Sequence, residues 1–315
     1  MASGIVSVAA HEQRRGGVSA ALALVAAVAW AVLVVLSGAR AILVPDLVRA
    51  DLESPARRFD FFTFVAAADV LGVRAAAAGR ARIGLVLLLL GGLGWLALAV
   101  ALPTVAIRRH GPSPAWWAAS GNWLLAVVAT QSLAVLAGAL AGPSGVGPCR
   151  WAALGCWVLG LALYAALIAA IGARVLSTGA PPARFTPDDW IVMGALAITT
   201  LAATELLRAE PADPARALLA HAAVLIWALA SSAVMPLAVL HLRGLLWDRA
   251  ARRYQAGWWA AVFPLGMYSV ATGQLAVTLD LHPLRMLAGI AFWVALGAWS
   301  LTAAAAACQV AGRAA

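Results

Sequence analysis

The chain has 315 residues, 64% of them hydrophobic and only 11% charged, with a mean hydropathy of +0.91. Uncharged runs recur along the whole length, which excludes a soluble globular domain and marks an all-α, polytopic membrane protein. The net charge of +9 comes from 22 basic residues, all of them arginine; they lie in short loops between apolar runs. Topology and anionic headgroups therefore account for them, and no nucleic-acid partner is expected.

Cys149, Cys156 and Cys308 have neither metal nor redox spacing and read as small apolar residues. No metal or cofactor is expected. No nucleophile elbow, metalloprotease helix or phosphate loop is legible, so the chain does not read as an enzyme. A polytopic enzyme acting on lipid is the reading of another class; it requires His, Asp or Ser gathered at one membrane face, and the sequence gathers none.

Taken in order, the first stretch is MASGIVSVAA. It is half a span long before His11, Glu12, Arg14 and Arg15. Eight apolar segments of bilayer-crossing length follow, near 18–38, 83–107, 115–140, 151–173, 190–207, 217–242, 254–279 and 286–310. Residues 44–58 read as an amphipathic loop. Residues 59–77, beginning FDFFTFVAAADVLGV, form a further candidate span with Asp60 and Asp69 inside it. Counting both short stretches gives ten helices in five consecutive pairs and a single membrane domain over 1–315.

Arginine placement orients them. With the N-terminus inside, Arg40, Arg49, Arg57, Arg58, Arg108, Arg109, Arg174, Arg184, Arg243, Arg249, Arg252, Arg253 and Arg313 fall on the cytoplasmic side. That is the larger share of the 22, so both termini are expected in the cytoplasm. Trp116, Trp117, Trp151, Trp190, Trp258 and Trp259 stand at segment starts, where indole rings favour the membrane interface.

Uncharged polar residues gather in the odd-numbered helices: Ser3, Gly4 and Ser7; Thr63 and Gly72; Asn122, Thr130, Gln131 and Ser132; Thr199, Thr200 and Thr204. The even helices are mostly Leu, Val, Ala, Gly and Trp at their centres, with Ser231, Ser232, Ser300 and Thr302 as exceptions. Either the odd helices surround a polar route, or the hydroxyls and amides only join helices to one another. The ninth helix concentrates these features. Pro264 near its centre cannot donate to the Ala260 carbonyl, Gly257, Gly266 and Gly273 allow close approach, and Ser269, Thr272, Gln274 and Thr278 are polar. Phe263 shares a helical stripe with Ala260, Met267 and Val270. It reads either as a plug in a conduit or as a packed core aromatic.

The run Trp258-Trp259-Ala260-Ala261-Val262-Phe263-Pro264-Leu265 resembles the ninth-helix motif of the tellurite-resistance/C4-dicarboxylate transporter family, which includes plant slow-type anion channels and fungal sulfite exporters. MASGIVSVAA, FDFFTFVAAADVLG, GNWLLAVVATQSLAV and TPDDWIVMGALAITTLA agree with that family in the same order. The resemblance implies ten helices as five hairpins, with odd helices forming an inner pore, even helices an outer ring, and a homotrimer in which each protomer keeps its own pore. It implies that Phe263, with Pro264 behind it, occludes the pore. Family members start upstream of the MASGIVS motif, so the first helix is expected to be truncated at Met1 by a misassigned start. The fifth and seventh helices also lack the interior prolines common in the family.

These readings set the expectations. The function is transport of small inorganic or organic anions across a lipid bilayer, expected to be a bacterial plasma membrane. Gly4, Ser7, Thr63, Gln131, Thr200, Gly266 and Gln274 are expected to line the route, offering hydroxyl, amide and backbone groups in place of water. Asp69 and Glu205 are the acids expected at membrane depth, as proton-coupling groups or ion pairs with Arg74 and Arg208. The alternative within transport is a proton-coupled dicarboxylate or sulfite carrier using one of these acids.

Overall fold

A computed structural model describes residues 1–110, 120–142, 147–178, 185–209, 214–247 and 254–314. Trp116, Trp117, Arg184, Arg249, Arg252 and Arg253 lie outside the described residues. Among those described are eleven α-helices: α1 (Ala2–Glu12), α2 (Gly16–Leu43), α3 (Pro45–Glu53), α4 (Phe62–Ala77), α5 (Ala81–His110), α6 (Leu125–Ala141), α7 (Pro148–Thr178), α8 (Ile191–Ala209), α9 (Pro214–Trp247), α10 (Trp258–Thr278) and α11 (His282–Ala314). Eight helical segments are long and apolar enough to cross a membrane; α1, α3 and α4 fall outside that set.

The helices divide by burial. Of the most apolar window in each, 94% is buried in Pro187–Arg208, which carries α8, against 6% in Pro148–Ser177, which is α7. Helices α1, α4, α6 and α10 follow α8, whereas α2, α5, α9 and α11 follow α7 and expose leucines and valines such as Leu33, Val35, Leu89, Leu225 and Leu301. In water such exposure is an aggregation surface; in hydrocarbon it is the solvated face. Each buried helix packs on the long helix that follows it, α1 on α2, α4 on α5, α6 on α7, α8 on α9 and α10 on α11. The buried helices also touch one another in the sequence α1, α4, α6, α8, α10 and back to α1, which closes a circle.

A repeated contact ties each exposed helix to the next pair. The indole of Trp95 on α5 donates to Thr130 Oγ1 on α6 at 2.8 Å. Trp157 on α7 donates to the Thr199 carbonyl on α8 at 3.1 Å, Trp227 on α9 to Thr272 Oγ1 on α10 at 3.0 Å, and Trp299 on α11 to Ser3 Oγ on α1 at 2.9 Å. Trp30 on α2 occupies the fifth such place and stacks on Phe64 of α4, with ring centroids 5.8 Å apart. A tryptophan suits the role because its body is apolar and its single N–H can reach a hydroxyl or carbonyl across the groove.

Local chemistry sets the helix ends. The 3-10 turns Arg58–Phe61, Gly121–Leu124 and Pro187–Trp190 lead into α4, α6 and α8. Thr186 and Asp189 form a capping box there, satisfying amides that would otherwise be orphaned. Three tight turns stand together at the opposite ends of the buried helices: Gln13–Arg15 with Arg14 at φ 57°, 78–80 with Gly79 at φ 75°, and 279–281 with Asp280 at φ 53°.

Residues 44–58, expected as a loop, contain α3. Pro45 fits the first helical position and Asp46 the first turn. Asp51 closes this segment by accepting from Arg40 Nη2 at 2.6 Å and Arg57 Nη1 at 2.8 Å. The Arg40 bond, with Arg57 in support, holds the Asp51 carboxyl below the usual carboxylate range against a partial desolvation that pushes it up. Trp190, expected at an interface, is 5% exposed and donates to His241 Nδ1 at 3.3 Å.

Candidate functional site

The five buried helices all begin at one end of the molecule, and a cavity of about 910 Å³ lies there. Its walls include Met1 and Ala2 of α1, Asp60, Thr63 and Ala67 on and before α4, Leu125 and Val128 of α6, Ile191 and Gly194 of α8, and Ala260, Phe263 and Pro264 of α10. Trp30 of α2 and Trp299 of α11 complete one side. Two carboxyl groups, Asp60 and Asp188, share this vestibule.

Below the vestibule the helices close on one another. A void of only about 20 Å³ is lined by Ile5 and Val8 of α1, Asp69, Val70 and Val73 of α4, Ser132 and Val135 of α6, Ile198 and Leu201 of α8, and Met267 of α10. Helical periodicity relates the linings of the two spaces. Residues at i, i+4, i+7 and i+11 share one stripe. On α10 that stripe runs from Phe263 in the vestibule wall to Met267 in the void. Of the two spaces Phe263 itself lines the larger alone, and the residue is 2% exposed.

Pro264, next in the chain, packs tightly on α8. Gly194 of α8 faces it so closely that a Cβ there would lie 2.8 Å from Pro264 Cγ and 3.0 Å from its Cβ. The pair lets α8 and α10 approach where Pro264 removes one amide from the helical ladder. On the opposite side, Gly266 abuts Ile5 of α1, 2.9 Å from the position a Cβ would take.

The expected lining residues divide into two groups. Thr63 lines the vestibule and donates to the Asp60 carbonyl at 2.6 Å. The others are committed to neighbouring helices or, for Thr200, to its own backbone. Ser7 donates to the Ser19 carbonyl of α2 at 2.7 Å. Gly4 packs on Val70. Gln131 turns outward, donating to the Trp157 carbonyl of α7 at 3.1 Å over Gly160, and Thr200 bonds within its own helix to Leu196 at 3.0 Å. Gln274 donates to Glu12 Oε1 across the α1–α10 contact.

Of the two acids, Glu205 forms its expected pair with Arg208 at 2.7 Å. Asp69 does not meet Arg74. Five residues along a helix is about 140° around it, and Arg74 instead donates to Ser19 Oγ at 3.2 Å. Asp69 is fully buried, accepts from Ser132 Oγ at 2.6 Å through one oxygen, and leaves the other, Oδ1, without a partner against Gly91 of α5. The apolar residues that line the void, Ile5, Val8, Val70, Val135, Ile198, Leu201 and Met267, were not legible as a set, because their positions alone do not mark them apart from core. Glu12 was also missed; its signal was the seven-residue spacing from Ile5. Among the described residues no group of His, Cys, Asp and Glu could hold a metal ion.

Residues 1–307 match the family described as voltage-dependent anion channel, SLAC1. The chain belongs to the SLAC1 family. It is an integral membrane protein of an anion-transport family. Two curated relatives, uncharacterised membrane proteins of Mycobacterium tuberculosis strains CDC 1551 and H37Rv, are each 35% identical over 120 residues, covering 37% of this chain. The match spans 61% of those relatives' length.

Proposed function

We propose that this SLAC1-family chain passes small anions along the axis enclosed by α1, α4, α6, α8 and α10, and that Phe263 on its Pro264 turn stops them midway. In this reading α1 and α4 cross the membrane with the eight longer segments, so that ten helices form five hairpins with the buried members innermost. Three copies, each with its own path, form the assembly. The arginine-rich segment carrying Arg40, Arg49, Arg57 and Arg58 then sets the vestibule on the cytoplasmic side.

The observation that carries this reading is the placing of Phe263. Phe263 lines the wall of the cavity of about 910 Å³, and Met267, one turn further along the same stripe, lines the narrow void beyond. Occlusion is steric at the ring and continues through apolar side chains that shed water, so a path narrowed in this way closes by dewetting as well as by filling. An anion carries a cost of several kcal/mol or more in such a setting unless the path widens and hydrates.

Asp69 supports a second reading, proton-coupled movement of dicarboxylate or sulfite. A buried carboxyl with no cation and one free oxygen is what a proton-carrying site needs. Anion flux into liposomes, with and without a pH gradient, separates the two. The channel reading expects flux driven by the anion gradient alone. A strict requirement for the pH gradient, abolished in Asp69→Asn, would establish the coupled carrier instead.

A further inference from the structure

On the outer side of the bundle, α5 and α7 both pack on α6, and the groove between them holds a second cavity, of about 430 Å³. Its walls run from Trp95 to Ala106 on α5 and from Leu159 to Ala170 on α7. Each wall spans about 17 Å along its helix, the depth of one leaflet of a hydrocarbon core roughly 30 Å thick. Among the described residues Arg58 is the one charged group in the lining, and it stands at the end where the buried helices begin. Arg58 is only 3% exposed. Its Nη2 donates to the Glu53 carbonyl at 3.0 Å and its Nε to the Ser54 carbonyl at 3.4 Å, which caps the carbonyl end of α3. Nη1 has no partner among the described residues, and no carboxylate there lies within ion-pair distance of the guanidinium. The acids of the same segment are placed elsewhere. Asp51 holds Arg40 and Arg57, Glu53 lies 3.4 Å from Arg49, Asp60 lines the vestibule, and Asp46 is exposed in the first turn of α3.

We propose that this groove binds one anionic phospholipid from the vestibule-side leaflet, with its phosphate on Arg58 Nη1 and one acyl chain laid between α5 and α7. The site lies outside the ring of buried helices and does not depend on the axial path. A guanidinium taken out of water without a counter-ion is unfavourable, so the anion that Arg58 lacks has to come from outside the chain. The guanidinium fork suits a phosphate. An apolar groove one leaflet deep admits an anion that brings its own acyl chain, whereas free phosphate would leave the groove unfilled. A zwitterionic headgroup carries a cation beside its phosphate and supplies no net charge; an acidic headgroup does, and basic pockets between spanning helices recognise acidic headgroups in this way.

The experiment is native mass spectrometry of the full chain in detergent, with equal amounts of phosphatidylglycerol and phosphatidylcholine carrying identical acyl chains. One phosphatidylglycerol is retained per chain, favoured about five-fold over phosphatidylcholine. Arg58→Gln brings that ratio to about one, and Arg58→Lys keeps most of it. Arg49→Gln is the control for general surface charge, because that side chain is 75% exposed; its ratio stays at the wild-type value. Ala106→Phe fills the groove beside an intact arginine, lowers retention of both lipids, and serves if Arg58→Gln does not fold. Equal retention of the two lipids by wild type, or the same loss of preference in Arg49→Gln as in Arg58→Gln, would overturn the proposal. Displacement of the lipid by inorganic phosphate would also overturn it, by marking a site for the free anion. So would an Ala106→Phe protein that loses its oligomeric state yet retains lipid, since the groove would then belong to a second copy of the chain.

Discussion

Gly194→Ala tests whether the position of Phe263 is set by the contact behind it. The added methyl would stand 2.8 Å from Pro264 Cγ, 3.0 Å from Cβ and 3.3 Å from Cα. Carbon pairs in proteins settle at about 3.5–4.0 Å, so the conflict is of several tenths of an ångström. A flexible side chain could swing aside, but the proline ring is joined to the backbone at both ends, and one of the three close atoms is backbone. Either α8 or the Phe263 turn must move. Overpacking of this kind costs about 1–3 kcal/mol, which at about 2–4 °C per kcal/mol is a drop of several degrees in the melting temperature of the purified protein. Gly92→Ala on exposed α5 is the control. Nothing lies within 4 Å of its Cβ position, so that variant should hold or gain stability by up to about 1 kcal/mol. Thermal unfolding of both by intrinsic tryptophan fluorescence, beside anion flux, provides the assay. Equal melting temperatures for Gly194→Ala and wild type would refute the claim that α8 and Pro264 are in contact tight enough to position the ring.

Two further outcomes follow from named contacts. Trp227→Phe keeps the apolar body and removes the bond to Thr272 across α9 and α10; it should cost about 1 kcal/mol in thermal or chaotrope unfolding, and little of that cost should remain in a Thr272→Val background. Asp51→Asn removes a carboxyl whose folded value is depressed, chiefly by Arg40. The stabilisation from such a group is present above the unfolded carboxyl value of about 3.9 and lost as pH falls through the lower folded value. Wild type should therefore lose, on acidification in that window, an increment of stability that Asp51→Asn lacks, as read from melting temperatures across the acid range.

The long helices were legible because apolar length is a sufficient signal. Segments expected near 18–38, 151–173, 217–242 and 286–310 are helices at Gly16–Leu43, Pro148–Thr178, Pro214–Trp247 and His282–Ala314. The exposed ones run several residues past the apolar limits, since a helix needs no hydrophobic partner to continue beyond the bilayer core. The buried helices gave a compositional signal, as Thr130, Gln131, Thr199, Thr200 and Thr272 are all buried. What composition could not give was direction. Ser7, Gln131 and Thr200 satisfy α2, α7 and their own backbone because a buried polar group takes the nearest partner. The mid-helix tryptophans that link neighbouring pairs were unreadable for a related reason: a tryptophan inside an apolar run looks like lipid-facing bulk until its N–H is seen to reach Thr130 or Thr272. Glu12 looked like a span limit, and only the packing of α1 against α10 brings it into contact with Gln274.

The most direct measurement is the single-site change Phe263→Ala, with anion current recorded across a planar bilayer and the fold verified by gel filtration and thermal unfolding. If the ring is the block proposed above, removing it opens the vestibule toward the narrow void, and a large rise in anion current over wild type is the predicted result. A folded variant with no more current than wild type would contradict the account, above all if it had lost only the roughly 3–5 kcal/mol expected when a packed phenylalanine is truncated in a protein core.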